Sequence, residues 1–397
     1  MAAPPYDVVN RSEAAALALG NPLSFLHIGR SEIDLPAEVS PYDDRVYQRA
    51  KDNLEEFIRQ GILVQDREPS LYVYEQTMDG RVQAGVVGCV HVDDYEDDII
   101  KKHEKTRPDK EDDRTRHVLT LNANAEPVFL TYRSQPFISG AVATARTSPP
   151  LDDFTTADGV RHRTWRLQET EPLLDAFRRV PAAYVADGHH RCASAWRAGK
   201  ARREQNPSHT GEEEYNWFLA VLFPSSELQI LPYNRVVKDL GGKTPEALLA
   251  EFAAIGTLEP TTTPQPSVSG SFGVYLAGTW YRLTLDPASL EDLELPDSLD
   301  AELLHKRILA PCLGVGDPRT DHRLDFVGGI RGTDALQARV DLGEAAIAFA
   351  LVPTTLDQLL AVSDTGQIMP PKTTWFEPKL RSGLFLHTLD YVHTEQA

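Results

Sequence analysis

Ala183-Tyr184-Val185-Ala186-Asp187-Gly188-His189-His190-Arg191-Cys192-Ala193-Ser194-Ala195-Trp196 is the stretch on which the reading of this chain turns. Its first four residues are a short apolar run of strand type, and the residues from Cys192 onward read as a helix closed by Gly199. Between strand and helix lies a turn that holds an acid, a glycine, two imidazoles and a guanidinium. At such a turn the unpaired N–H groups and the positive end of the helix dipole attract an anion, and Gly188 lets the backbone approach it. Arg191 adds a planar fork of donors, while Asp187 can hold a divalent cation or orient a hydroxyl. A phosphate site follows. The plainer alternative is an Asp-Gly turn before a surface helix with exposed histidines, but that turn needs no His-His-Arg after it.

A chain of 397 residues is long enough for about two or three domains. Its 40 basic and 59 acidic side chains leave a formal charge of −19, which disfavours broad contact with nucleic acid or an anionic membrane. Phosphate must then be handled locally, with a metal cation. Cys89, Cys192 and Cys312 lie far apart with no C-x-x-C, which fits a reducing compartment and no structural zinc. The N-terminus shows no signal pattern, and no run of about 18 apolar residues occurs. These features lead us to expect a cytoplasmic protein with no nucleic-acid or membrane partner.

Outward from the turn, Ser40-Pro41-Tyr42-Asp43-Asp44 reads as a helix start capped by Ser40, and Val46, Ala50, Leu54, Phe57 and Ile58 recur at helical spacing up to Gly61. Leu71–Glu75 and Val82–Val87 flank Asp79-Gly80 as a hairpin. The charged segment from Asp93 to Arg116 reads as a solvated helix face, followed by strands at Val118–Leu121 and Val128–Tyr132. Pro149 to Asp158 reads as a loop, and Arg202 to Glu214 as a polar surface excursion. Trp217–Phe223 is a fully apolar central strand, placed beside the one that feeds Asp187. Thr261 to Ser271 reads as a linker or long loop, and Phe272–Leu276 with Trp280–Leu285 as a second hairpin, opening a smaller α+β unit. No internal repeat of about 20 to 50 residues is present.

The common nucleotide and hydrolase templates are missing: no G-x-x-x-x-G-K-[ST], no G-x-G-x-x-G after a strand, no G-x-S-x-G and no H-E-x-x-H. His103-Glu104 stands out in the charged segment, since a carboxylate near a phosphate site can act as general base; a plain surface glutamate is the other reading. Arg235 follows a strand in Leu231-Pro232-Tyr233-Asn234-Arg235. Met369–Lys379 displays Lys372, Thr373, Thr374 and Lys379 on a backbone stiffened by three prolines, as a rigid loop lining a site or as an ordinary surface connection.

Pro4-Pro5-Tyr6-Asp7-Val8-Val9, His103-Glu104-Lys105-Thr106, Asp187–Arg191, Leu231–Val237 and the segment from Met369 to Leu384 together resemble a long bacterial family of formerly unknown function in the serine-kinase branch of the ParB/sulfiredoxin superfamily. The resemblance spans nearly the whole chain, with the motifs in order. It implies a mixed α/β fold with a ParB/sulfiredoxin-like core and N-terminal extension over 1–255, a smaller α+β domain over 256–345, and a C-terminal segment, 346–397, returning to the cleft. It further implies conversion of free L-serine to O-phospho-L-serine with inorganic diphosphate as donor and Mg²⁺ alongside. By the same resemblance Glu104 is the general base, Asp187 assists it or holds the metal, and Gly188, His189, His190 and Arg191, with Arg235, bind phosphate. Lys372, Thr373, Thr374 and Lys379 are candidate substrate contacts.

Four rivals remain open. The same kinase could use ADP or ATP, or the site could hydrolyse O-phosphoserine. The chain could be a ParB-like nucleotide-binding module, which its acidic balance opposes. A sulfiredoxin-like redox role would need a cysteine where His189 stands; Cys192 lies one residue past the motif.

Overall fold

Asp79 and Gly80 take positive φ, 51° and 78°, which joins two antiparallel strands through two residues without splaying them. In the computed structural model, which describes residues 1–390, β1 (Tyr72–Met78) pairs with β2 (Arg81–His91) outward from Met78 opposite Arg81. The sheet continues with β3 (Ile100–Lys101), β4 (Val128–Tyr132), β5 (Asp152–Thr155), β6 (Arg161–Arg166), β7 (Ala183–Asp187) and β8 (Trp217–Pro224). Its eight strands run in the order β3-β7-β4-β8-β2-β1-β6-β5. All of β4 is buried, and β8 is buried beyond Trp217, so the sheet centre is covered on both faces. Val73, Val86, Leu130, Trp165, Val185 and Phe218 belong to its core. Three helices matter here: α1 (Asp44–Arg59), α2 (Pro108–Leu121) and α3 (His189–Gln205). The fold class is mixed α/β, as the sequence led us to expect.

The chain divides into two compact units. The first holds residues 1–228 and takes back the segment from Pro378 onward, where Ala3 and Ser382 form a bridge. The second, Gln229–Glu377, contains β9 (Tyr233–Val237), β10 (Gly256–Pro260), β11 (Ser271–Leu276), β12 (Thr279–Leu285), β13 (Leu324–Gly328) and β14 (Ile347–Ala350). They form one antiparallel sheet in the order β10-β12-β11-β14-β9-β13. Phe252, Phe272 and Phe349 fill its core. This division differs from boundaries at 255 and 345, because β9 is hydrogen-bonded between β13 and β14 and so draws residues on both sides of those points into the second unit. Among the described residues no helix is long and apolar enough to cross a membrane.

Several local readings are corrected. Asp43, not Ser40, caps α1, its carboxylate accepting from the Arg45 N–H, while Ser40 accepts from the Asp43 N–H in the preceding turn. Val118–Leu121 is the last turn of α2 rather than a strand; a short apolar run does not reveal its period, and here Asn122 ends the helix in the left-handed region. Within the expected Pro149–Asp158 loop, β5 pairs with β6. Trp217–Phe223 is not adjacent to β7, since β4 lies between them. Gly199 does not end α3, which continues to Gln205; a Cβ there would sit 2.6 Å from the Tyr215 carbonyl, so close packing rather than termination requires the glycine. Of the two readings of Thr261 to Ser271, the long loop holds: it joins two strands of the second unit.

Candidate active site

Strand β3 runs parallel to β7, with Ile100 beside Ala183 and Lys101 beside Tyr184. Both chains therefore leave the sheet at the same edge, one into His103-Glu104 and the other into Gly188-His189. Strand β4 enters at this edge too, Phe129 opposite Asp187, which brings Glu126 and Pro127 there. Sheet topology assembles residues more than eighty positions apart in sequence into one site.

Gly188 has φ 99° and ψ 34°, and no side chain caps the first turn of α3. A helix start of this kind presents its N–H groups and dipole to an anion. His190 Nε2 accepts the Arg107 N–H at 3.1 Å, tying the His103–Arg107 loop to that start. Asp187 Oδ2 accepts from Lys379 Nζ at 3.0 Å, and Oδ1 lies 3.9 Å from Arg191 Nη2. Against the upward push of burial, these two cations hold the Asp187 carboxyl below the usual carboxylate range.

Arg191 turns inward. Its Nη1 donates to the Pro127 carbonyl, Nη2 lies 3.6 Å from Asp7, and its buried Nε has no hydrogen-bond partner. Burial opposes its charge, but Asp7, Asp187 and Glu126 outweigh that effect. Glu126 Oε1 accepts from the Tyr6 N–H and from Ser382 Oγ, each at 3.2 Å. Burial raises the Glu126 carboxyl despite the Arg191 charge. A cavity of about 30 Å³ lies among Arg114, His117, Asn124, Glu126, Arg191 and Ser194, room for about two water molecules.

The rings of His103 and His189 meet edge to face, centroids 4.4 Å apart. Burial lowers both to about 3 against the upward pull of Asp187 on each ring and of Glu104 on His103, so both are neutral imidazoles near pH 7. His103 is hydrogen-bonded to the Val185 backbone, whereas the buried Nε2 of His189 has no hydrogen-bond partner. The ligand-type atoms of His103, Glu104 and His189 all lie within 4.8 Å of one another. Burial pushes the Cys192 thiol up to about 12, which keeps it protonated and unreactive.

The DUF1015 model, whose description is a protein of unknown function, matches residues 1–302. The chain belongs to the DUF1015 family. No curated protein matches this DUF1015 chain. Among solved structures it is similar to a free serine kinase variant in complex with AMP, at 10% identity over 73% of this chain and 87% of that one, TM-score 0.37. Another is a free serine kinase variant in complex with ADP, at 10% identity over 79% and 91%, TM-score 0.35. A third is C-terminally truncated SbnI from Staphylococcus aureus, at 13% identity over 75% and 85%, TM-score 0.39.

Within this DUF1015 chain, Glu104, Asp187, Gly188, His189, His190, Arg191 and Lys379 all belong to the first unit, and the contacts above bring them together. Lys379, read as a substrate contact, is the counter-charge of Asp187. Arg235, Lys372, Thr373 and Thr374 belong to the second unit. There Arg235 is buried and donates to the carbonyls of Tyr233, Pro371 and Lys372, while Thr373 Oγ1 donates to the Pro370 carbonyl at 2.6 Å. The Arg235 bonds to Pro371 and Lys372 hold the proline-rich loop to β9, and the Thr373 bond closes a turn within the loop. Sequence reasoning gave no role to Asp7, Arg114 or Glu126. The available signal was Glu126 directly before Pro127 and a five-residue buried strand, an unusual place for a charge.

Proposed function

We propose that this chain is a phosphotransferase of the serine-kinase branch of the ParB/sulfiredoxin superfamily, converting free L-serine and inorganic diphosphate to O-phospho-L-serine and orthophosphate. The observation that carries the reading is the Glu104 carboxylate within 4.8 Å of the His189 imidazole, on a helix start that no side chain caps. A base stands beside an anion site. Glu104 takes the proton from the serine Oγ, the Oγ–P bond forms, the bridging P–O bond of diphosphate breaks, and orthophosphate leaves. Phosphoryl transfer asks mainly for positioning and for positive potential on the transferred group. The α3 N-terminus supplies it, while Lys379 and Arg191 cancel the Asp187 charge that would oppose it. Diphosphate needs neither a base-stacking surface nor a P-loop, which agrees with the absence of such motifs from the sequence.

Asp187 does not fit as an Mg²⁺ ligand, because Lys379 and Arg191 already balance its charge. Mg²⁺ enters this reading as the counter-ion of diphosphate, and no step is assigned to it. The test is phosphorus NMR of the protein with L-serine and Mg²⁺ and, separately, diphosphate, ADP or ATP. A phosphoserine resonance with diphosphate alone is expected. Its appearance with ADP or ATP would replace the donor, phosphate release without acceptor would make the site a phosphatase, and silence throughout would defeat the kinase reading.

A further inference from the structure

His189 Nε2 is a buried polar atom without a hydrogen-bond partner, in a residue only 6% exposed. Such an atom is rare in a folded protein and calls for a partner. The same imidazole belongs to a ligand set: one nitrogen each of His189 and His103 and a carboxylate oxygen of Glu104 lie within 4.8 Å of one another. From this we propose that His103, Glu104 and His189 form a binding site for a first-row transition cation of the Mn²⁺, Fe²⁺, Co²⁺ or Zn²⁺ class.

Two imidazole nitrogens and one carboxylate oxygen suit such ions, whereas Mg²⁺ and Ca²⁺ prefer sets made wholly of oxygen. Three protein ligands leave positions open for water or a substrate oxygen. Around a bound ion the ligand atoms would stand about 3.3 Å apart, from metal–ligand lengths of about 2.0 Å in tetrahedral geometry. Closing from 4.8 Å is a movement within the reach of side-chain torsions. The framework is otherwise set: β3 beside β7 fixes the two chain segments, and the Val185 backbone holds the His103 ring from behind, as outer-shell partners of metal-binding histidines do. Asp187 stays outside the set, since Lys379 and Arg191 occupy it. Glu104 has two carboxylate oxygens, one for the ion and one for a substrate proton. The site goes beyond the proposed reaction and does not depend on acceptor or donor.

The experiment uses the untagged full chain, stripped of metal by chelator and dialysis, titrated with Co²⁺ while its visible absorption is followed. One equivalent is expected to bind with d–d bands of four- or five-coordinate cobalt. His189→Gln and Glu104→Gln are each expected to weaken Co²⁺ at least about tenfold, in line with losses seen for support residues alone. His117→Gln, a buried histidine outside the set, should leave binding unchanged. Because His189 is buried, circular dichroism checks that variant's fold, and the more exposed Glu104 keeps the test decisive if it fails. No stoichiometric Co²⁺ binding, wild-type affinity in both ligand variants, or displacement of Co²⁺ by an equal concentration of Mg²⁺ would each overturn the proposal. The readout is a spectrum, so a failed phosphoserine assay leaves it standing.

Discussion

Replacing Gly188 by alanine sets two terms against the fold. Its φ of 99° places a side chain in the left-handed region, at about 1–2 kcal/mol for an L-residue. A Cβ there would also meet Arg191 Nε at 3.0 Å and Cζ at 3.2 Å. The guanidinium cannot swing aside freely, because Nη1 is bonded to Pro127 and Nη2 faces Asp7. Giving up a hydrogen bond from a buried charged group costs about 1.5–3 kcal/mol. If the guanidinium shifts only partly, the sum is about 2–4 kcal/mol. Gly140, inside the helix Pro136–Ala145 with nothing within 4 Å of a built Cβ, should gain about 0.5–1 kcal/mol from the same change. Urea unfolding followed by circular dichroism reads both signs. An unshifted midpoint for Gly188→Ala, or a larger loss for Gly140→Ala, would refute the argument from backbone conformation and close approach.

Glu104→Gln is expected to lower kcat about 100-fold or more while leaving the thermal midpoint in place; near-normal turnover would remove Glu104 as the base. Lys379→Met leaves Asp187 without its nearer counter-charge and should cost about 1–3 kcal/mol, less than for a fully buried pair because both groups keep some exposure. The double variant Asp187→Asn/Lys379→Met should recover part of that loss, and a double-variant loss equal to the sum of the Asp187→Asn and Lys379→Met losses would show that the pair does not couple. His387 is lowered by burial but raised more by Cys89 and Glu214, and stands at about 9. A folded pKa above the unfolded value, about 6.5, gives stability that is full below that value and is lost as pH rises through about 9, at most about 3 kcal/mol. His387→Gln should abolish that slope between unfolding curves at about pH 6.5 and 9.5. Aromatic disulfide titration of native protein should modify Cys89, which is exposed, and spare Cys192 and Cys312 until unfolding.

The local elements were legible because their signals are local. Asp79-Gly80 and Ala277-Gly278 each join strands through two residues of positive φ, and the strand-turn-helix at Asp187 stands where its sequence placed it. Reading failed where packing decides between local options. Gly199 looks like a helix end until the Tyr215 carbonyl is seen against it, and Val118–Leu121 is too short to show its period. The site divides in the same way. Asp187 to Arg191 is contiguous and could be read, whereas Glu126, Asp7 and the pairing of Lys379 with Asp187 depend on strands and segments meeting across the fold.

The return of the chain after Pro378 also sets an order of events during synthesis. Asp187 meets its counter-charge on a residue made 192 positions later, and at about 5–20 residues per second a ribosome takes on the order of 10–40 s to produce it. Throughout that interval the nascent strand-turn-helix carries a carboxylate with no lysine beside it, and Ser382 is not yet present to bridge Ala3 or bond Glu126. The first unit therefore cannot finish folding from its N-terminal portion alone; the whole second unit is translated before the site closes. A chain released before Pro378 would carry all eight strands of that sheet and the Asp187 turn, and would lack the Lys379 counter-charge and the Ser382 bond to Glu126.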